Sequence, residues 1–430
     1  MSAQKKSVVS IVKGTDASSM VEEALSLLGG VTSLIRKGST VVVKPNAGHP
    51  FPPETSINTS PAVVSAVIKE LRKAQPKEII LAESSAVGCD TLESLEVSGI
   101  GRAAEEAGVD RIIDIKRDKD LIKIPIRDAM SDITSILLPR FLVEAEHIVS
   151  VPILKTHINM VFTNALKNMK GMVQDKVHFQ MHQTNLAAAM MDLWSVIKAD
   201  LSIADLIRPA EGFGPEGGLP AEFDCIVAGK DPVAVDATCC RMIGLDVDMV
   251  PYFDPAHERG IGNFVEENIE IRGRTIKEVF RQLWIPYLGK GFDQWPEYNI
   301  YAEGACSSCQ GLLAYNMEKL KALGEYEKNA GATIIIGRKK ELPKGVDPKD
   351  LILVGNCTKK FRDHGIFCGG CPPAECFPGW SIIDRKGITL ADDAGGSDAV
   401  RARMARDKEV FLKHITKLRD EHYKKVKGEG

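Results

Sequence analysis

The sequence predicts an α/β protein with a mostly parallel sheet and flanking helices, plus a smaller C-terminal α/β domain that carries a cysteine cluster. Three observations support this fold class. Short β-branched runs alternate with helical periods from residue 7 to about residue 245. The same alternation resumes after residue 300, and six of the ten cysteines lie in that last part.

The strands of the first domain are short apolar runs bounded by polar or glycine residues. The predicted strands are SVVSIVKG, STVVVKP, EIILAES, HIVSVPILK, LSIADLI and DCIVAGK. Helix starts are also visible between them, because Ser60 and Pro61 precede AVVSAVIKELRK and Asp90 precedes TLESLEV. The last part continues with a helix, QGLLAYNMEKLKALG, and two strands, GATIIIG and DLILVGN.

These patterns divide the chain into three parts. Residues 1–245 form the first α/β domain, and its edge is expected to bind an anionic ligand. Residues 246–300 are irregular and aromatic, as expected of a connecting segment or lid. Residues 301–430 form the cysteine-rich α/β domain, which ends in a helix.

Composition and charge exclude several classes of partner. The 430 residues carry a formal net charge of −3, which gives no general attraction to nucleic acid. No apolar run approaches the roughly 20 residues that a membrane span needs. The first residues lead into a strand without an apolar secretory segment, so we expect a cytoplasmic protein. The sequence leaves a homo-oligomer open.

The clustered cysteines predict a metal centre, since stable disulfides are rare in a reducing compartment. Cys306 and Cys309 precede a helix, Cys357 follows a strand, and Cys371 ends a CGGC motif. Helix N-termini and strand C-termini of a parallel α/β unit open onto the same edge, so these four are the predicted ligands. Their apolar neighbours favour a 4Fe-4S cluster, with zinc or a thiol-only function as alternatives. Cys368 and Cys376 are left as further ligands or spare thiols.

Polar side chains stand where three predicted strands of the first domain end. Ligands of open α/β sheets bind outside the C-terminal ends of the strands, and the lysines favour an anionic small molecule. A following segment, TNALKNMKGMV, adds three residues at helical spacing on one face. The predicted substrate-binding residues are Lys44, Asn46, Glu83, Lys155, Asn164, Lys167 and Asn168.

His157 is the candidate catalytic proton donor, because an imidazole titrates near neutral pH and this one stands at the strand edge. His178 and His182 are four residues apart and could share a metal on a helix, but the glutamate of the zincin motif is missing. We interpret these two as surface or substrate-lining residues. Asp231 and Asp236 are interpreted as helix-capping and structural.

Several blocks of the first domain together resemble domain of unknown function family 362, which is associated with iron–sulfur proteins. They are VVVKPN, VPILKTHINMVFTNALKNMKGMV, SIADLIRPAEGFGPEGGLP and AGKDPVAVDATCCRMIGLD, within residues 40–245. Members often carry a ferredoxin-like module with cubane clusters, so the resemblance implies an electron-handling role. This chain departs from that module, since its cysteines are dispersed over CSSC, GNC and CGGCPP. The resemblance supplies no substrate.

The leading hypothesis is an iron–sulfur oxidoreductase or electron-transfer protein that acts on an anionic small molecule or cofactor, with a redox partner protein. One alternative is an accessory protein that delivers or reduces a cluster or metallocofactor for another enzyme. The other is a non-redox enzyme whose metal is structural.

Overall fold

A mixed, mostly parallel sheet of eleven strands forms the centre of the fold in the described part of the chain. The computed structural model describes residues 6–288, 291–373, 379, 382 and 396–428, with side chains omitted for 396–404. A four-stranded parallel sheet and a two-stranded antiparallel sheet complete the strands of these residues.

The strands and helices are numbered in chain order. The strands are β1 (Ser7–Lys13), β2 (Thr40–Pro45), β3 (Glu78–Glu83), β4 (Arg111–Asp114), β5 (Leu121–Pro125), β6 (Ser135–Pro139), β7 (His147–Val151), β8 (Ile153–His157), β9 (Val161–Thr163), β10 (Leu201–Phe213), β11 (Gly217–Pro220), β12 (Cys225–Gly229), β13 (Ile269–Gly273), β14 (Asn299–Tyr301), β15 (Thr333–Ile336), β16 (Leu351–Val354) and β17 (Ile366–Cys368). The α-helices are α1 (Ala17–Leu27), α2 (Val31–Leu34), α3 (Pro61–Lys73), α4 (Thr91–Val97), α5 (Ile100–Glu106), α6 (Arg140–Glu144), α7 (Ala165–Asn168), α8 (Asp175–Gln183), α9 (Leu186–Val196), α10 (Pro232–Met242), α11 (Phe253–Glu258), α12 (Ile276–Val279), α13 (Ser307–Ala322) and α14 (Gly396–Lys427).

The main path of the large sheet runs β13-β1-β12-β10-β7-β2-β3-β4. The pairs from β10 through β7, β2 and β3 to β4 are parallel, whereas β12 runs antiparallel to both of its neighbours. Val41, Val42 and Val43 of β2 are all fully buried, as expected for a strand covered on both faces. The C-terminal ends of β2 and β3 therefore open onto one edge of the sheet.

The predicted α/β fold class is confirmed, and the differences have local causes. The run HIVSVPILK is divided into β7 and β8 at Pro152, which has no N–H for a ladder. Asp90 caps α4 by accepting a hydrogen bond from the N–H of Glu93, whereas the side chain of Ser60 makes no cap bond to α3.

Residues 246–300 are not irregular throughout. Strand β13 in this segment pairs in parallel with β1 at the edge of the large sheet, and β14 begins the small sheet. The division of the chain into three domains stays a prediction.

The small sheet has the order β14-β15-β16-β17, and all its pairs are parallel. One apolar core runs from under the large sheet to this sheet and includes Phe213, Leu312 and Phe411. Helix α14 thereby packs against both parts, with the Phe411 ring 6.0 Å from that of Phe213 and 5.2 Å from that of Tyr315. None of the described helices has the length and apolar character that a bilayer crossing needs.

Candidate functional site

An ion pair between Lys44 and Glu83 lies beneath the candidate site, where β2 and β3 end. The Lys44 Nζ is 2.7 Å from a carboxylate oxygen of Glu83, and the two side chains are only 1% and 2% exposed. The main-chain N–H groups of Ala47 and Ser84 also donate to Glu83, at 2.7 and 2.8 Å. These contacts occupy both charges, so the pair supports the loop after β2. Lys44 and Glu83 bind each other, and their predicted contact with a substrate stays a prediction.

A hydrogen-bonded network joins three of the predicted residues above this pair. The Asn46 Oδ1 accepts from the Nζ of Lys155 at 2.7 Å, and the Asn46 amide donates to the Oδ1 of Asn168 at 3.2 Å. The Asn168 amide in turn donates to the main-chain carbonyl of Lys44 and to the hydroxyl of Ser150. The structure thus brings Asn46, Lys155 and Asn168 together at the edge of the sheet.

Lys155 is the most strongly perturbed lysine of this network. Its side chain is buried, and its Nζ donates a second hydrogen bond of 2.6 Å to the carbonyl of Ile57. Burial and, to a smaller extent, the nearby Lys167 ammonium lower the pKa of Lys155 to about 7, while Glu83 opposes the shift. Lys155 therefore exchanges its proton near neutral pH.

His157 does not have the ordinary imidazole behaviour on which its predicted role depends. It is buried, and its Nδ1 accepts a hydrogen bond of 3.0 Å from the N–H of Asn159. Burial lowers its pKa well below the usual value, and the charges of Lys167 and Lys155 add to the shift. The ring is neutral at pH 7, so His157 can donate a hydrogen bond through Nε2 but does not titrate there, which corrects the reason given for its catalytic role.

His49 lies on the loop that follows β2, at the partly exposed rim of the site. Its ring stacks on that of Phe51, with the centroids 5.4 Å apart, and the Nζ of Lys408 lies 3.1 Å from the Phe51 centroid. Burial lowers the pKa of His49 to about 3, and Lys155, Lys408 and Lys167 contribute by charge. Helix α14 thus supplies a cation next to residues of the first domain.

Lys170 and His182 are a second pair of site residues whose side chains are in contact. The Lys170 Nζ is 2.6 Å from the Nε2 of His182, and burial together with the Lys170 charge lowers the pKa of His182 to about 2. The His178 Nε2 contacts the main-chain carbonyl of Lys170. Both histidines of α8 therefore contact Lys170 through Nε2. We call the following residues the basic site: Lys155, Lys167, Lys170, His49, His157 and His182.

Asn164 does not share the location of Lys167 and Asn168. Helix α7 has only four residues, and Asn164 is its N-terminal flanking residue with an extended φ of −158°. Its amide lies 3.4 Å from the Sγ of Cys239 and is fully buried. The prediction that these three residues share a helix face is wrong, because the helix is too short, and Asn164 points into the core.

Asp236 and Asp231 have the structural roles interpreted from the sequence. The Asp236 carboxylate accepts from the N–H groups of Ala165 and Leu166, at the start of α7. Asp231 caps α10 through the N–H groups of Val233 and Ala234. Both carboxylates are thus engaged in capping a helix.

Cys306 and Cys309 lie at the N-terminus of α13, where Cys306 is the capping residue. The Cys306 side chain makes no capping hydrogen bond to α13. The neighbouring Cys309 thiol and the N–H groups of Cys309 and Ser308 lower the pKa of Cys306 to about 5, and burial opposes this shift. The neighbouring Cys306 side chain and burial raise the pKa of Cys309.

Cys357 and Cys371 approach this pair from the ends of β16 and β17. Both act on the pKa of Cys309 by charge, and Cys306 and Cys357 act on that of Cys371. Within the described ranges, no group of three or more histidine, cysteine or carboxylate side chains has the spacing of a metal site. Cys368 is buried at the end of β17, whereas Cys376 is outside the described residues. We call Cys306, Cys309, Cys357 and Cys371 the cysteine centre.

The cysteine centre and the basic site are joined by main-chain hydrogen bonds to α8 and the turn after it. The N–H of Cys371 donates to the carbonyl of His182 at 3.4 Å, and its carbonyl accepts from Leu186 at 3.1 Å. The Asn356 amide donates to the carbonyl of Gln183 at 3.1 Å. One short segment therefore contacts both groups of residues.

Four residues around the site were missed from the sequence: His49, Lys116, Lys170 and Lys408. Lys170 falls in the K-N-x-K-G block and His49 follows a strand end, so both carried a local signal. Lys116 lies in a short 3-10 helix after β4 and pairs with Asp175 at 2.8 Å. Its charge contributes to the lowered pKa of His49. Lys408 lies about 250 residues beyond β8, and no local pattern marks it.

Residues 41–241 match the model of the family described as "Domain of unknown function (DUF362)", which confirms the resemblance for this part of the chain. The thylakoid-associated protein sll1697 of Synechocystis is 26% identical over 238 residues, which are 53% of this chain and 70% of that protein. The family match covers the part of the chain that holds Lys155, Lys167 and Lys170.

Two solved structures are also similar to this chain. The first is the crystal structure of a Thermotoga maritima protein. The alignment covers 53% of this chain and 59% of that protein, at 16% identity and a TM-score of 0.37. The lactate racemase apoprotein of Thermoanaerobacterium thermosaccharolyticum covers 53% and 54%, at 13% identity and a TM-score of 0.35. The chain thus spans less than two thirds of either structure.

Proposed function

We propose that the protein is an iron–sulfur oxidoreductase that acts on an anionic small molecule held at the basic site. The observation that supports the proposal is the main-chain hydrogen bond from Cys371 to His182, which joins the loop of the cysteine centre to a residue of the basic site. An electron carrier next to a substrate site is the arrangement that a redox reaction requires.

The anionic nature of the ligand follows from the charges at the basic site. The ammonium groups of Lys155, Lys167 and Lys170 all lower the pKa of His157, so their combined field at that ring is positive. A neutral imidazole and a lysine can both donate hydrogen bonds to carboxylate or phosphate oxygens. Such a ligand would also offset the cost of holding these lysines near one another.

The donor set of the cysteine centre suits a thiophilic metal group. All four donors are sulfur atoms, and the neighbouring Cys309 thiol with the first N–H groups of α13 lowers the pKa of Cys306 to about 5. Gly355 also allows a close approach, since a Cβ at that position would lie 3.3 Å from the Cys309 Sγ. Cys306, Cys309, Cys357 and Cys371 would hold a 4Fe-4S cluster, with zinc as the alternative metal.

A bound cluster would supply or accept single electrons, with a redox partner protein as the other electron carrier. The chain's own residues would bind and orient the anion: Lys155 and Lys167 from one side, Lys170 and His182 from the other. The neutral Nε2–H of His157 would donate a hydrogen bond to it.

The test is anaerobic reconstitution with ferrous iron and sulfide, followed by metal and sulfide analysis and electron paramagnetic resonance of the dithionite-reduced protein. We expect equal amounts of iron and sulfide and a reduced-state signal that changes when inorganic phosphate is added. His182→Gln should weaken that change, whereas the control Lys176→Gln, an exposed lysine on the same helix, should not. A colourless protein with stoichiometric zinc would overturn the redox assignment.

A further inference from the structure

The side-chain amine of Lys155 is held in an unusual way at the centre of the basic site. Its Nζ has two acceptors, the Asn46 Oδ1 at 2.7 Å and the Ile57 carbonyl at 2.6 Å. No carboxylate lies within ion-pair distance of it among the residues that the structure describes. The two acceptors belong to the loop after β2, which is fixed by the Ala47 and Asn58 hydrogen bonds.

This geometry has a direct consequence for the neutral amine. A neutral lysine has two N–H groups and one lone pair, and the two acceptors engage both N–H groups. The lone pair then occupies the remaining tetrahedral position of the nitrogen, which is the position left for a ligand. The protonated form instead directs its third N–H there, so the same position can give or take a proton.

We propose that Lys155 is the proton-transfer group of the basic site, acting as a general base on an acidic O–H or C–H of the bound anion. The proposal rests on the proposed function in that it takes the anion of that site as its substrate. In the step, the Nζ lone pair forms the new N–H bond. The electron pair of the broken O–H or C–H bond stays on the substrate, and the proton returns to product or solvent.

The charged groups around Lys155 support this role. Lys167 and Lys44 lower its proton affinity and Glu83 raises it, while His49 and His157 are neutral near pH 7. Burial is the largest of these effects, and together they lower the pKa of Lys155 to about 7. A group of this kind exchanges protons at physiological pH without help from a second base.

The experiment uses glyoxylate, a small anionic aldehyde that forms an imine only with a neutral amine. The imine is trapped with cyanoborohydride, and the labelled lysines are identified in the full-length protein by peptide mass spectrometry. We expect Lys155 to be labelled with a midpoint near pH 7, whereas an ordinary exposed lysine requires pH values of about 10.

Two variants sharpen the result. Asn46→Asp places a carboxylate beside the amine and should move the midpoint up by about one pH unit or more. Lys167→Gln removes a repelling charge and should also raise it, while the matched Lys176→Gln should leave it unchanged. Inorganic phosphate should slow the labelling of Lys155 alone.

The proposal is overturned if Lys155 is labelled only in the range of exposed lysines. It is also overturned if Lys155 is not labelled at any pH, since a group that contacts the ligand must be reachable by a two-carbon anion. Loss of iron and sulfide from the reconstituted protein would instead refute the proposed function and leave the labelling profile intact. An ordinary profile with a normal iron content would refute only the role of Lys155.

Discussion

The main-chain N–H of Cys371 donates a hydrogen bond to the carbonyl of His182, whose ring contacts the Nζ of Lys170. His182 therefore links Cys371 of the cysteine centre to Lys170 of the basic site, through its main chain on one side and its ring on the other. The loop that carries Cys371 is hydrogen-bonded both to the end of α8 and to the start of α9. Occupancy of either group of residues should consequently be detectable at the other.

The cysteine centre can be tested by single substitutions. Cys371→Ser should remove most of the iron that the protein retains after reconstitution, because the loss of one thiolate leaves an incomplete ligand set. Iron and sulfide analysis after gel filtration gives the result. The control Cys89→Ser changes a partly exposed cysteine of the first domain and should keep its iron. Equal losses from both variants would contradict the assignment of Cys371 as a ligand.

The buried pair of Lys44 and Glu83 predicts a large stability effect. Lys44→Met should lower the free energy of unfolding by about 3–5 kcal/mol, because it leaves the Glu83 carboxylate buried without its partner. The double variant Lys44→Met with Glu83→Gln should recover part of this loss. Lys73→Met removes a half-exposed lysine that pairs with Glu22 and Glu70, and should cost less than Lys44→Met. Urea unfolding measures all three, and equal effects of Lys44→Met and Lys73→Met would refute the prediction.

The buried histidines predict that the protein loses stability in mild acid. Burial holds the pKa of His178 well below 6.5, and Lys170 adds to the shift, so the unfolded chain binds a proton that the folded protein does not. This contribution is complete above pH 6.5. Below that value it should fall by about 1.4 kcal/mol per pH unit until the folded-state pKa is reached.

Urea midpoints between pH 8 and pH 5 check this slope. His178→Gln should flatten it, whereas the exposed His257→Gln should leave it as it is. A slope that is the same in all three proteins would show that His178 does not carry the effect.

Helix α14 is anchored by a buried carboxylate, and this contact can be removed without changing the size of the core. The Tyr423 hydroxyl donates to Glu211 at 2.6 Å, and the N–H of Trp284 donates to the same oxygen at 2.9 Å. Tyr423→Phe should cost about 1–3 kcal/mol, because it takes one donor from a carboxylate that is 1% exposed.

Hydrogen exchange should also become faster in α14 of that variant before the large sheet is affected. Lys417→Gln, an exposed change on the same helix, should alter the free energy of unfolding by less than about 0.5 kcal/mol. Unchanged exchange in Tyr423→Phe would mean that Phe411 and its neighbours hold the helix without Glu211.

The strands and the edge where the site lies could be predicted because both depend on local patterns. Runs such as the valines of β2 are apolar enough to be buried on both faces, and polar residues must follow where such a strand leaves the sheet. The predicted proximity of Asn46 and Lys155 came from this rule. The predicted helix face with Asn164 failed, because a four-residue helix has no lasting periodicity.

By itself, the sequence determined the α/β class, the edge of the sheet that carries the polar groups and the cysteines that stand near strand ends and a helix N-terminus. Only the tertiary structure decided that Lys44 and Glu83 neutralise each other, that His157 stays neutral, and that Lys408 approaches from a distant helix. The reason is physical: periodicity and strand ends are local, whereas burial, charge neutralisation and proton affinity depend on every group that packing brings within a few ångströms.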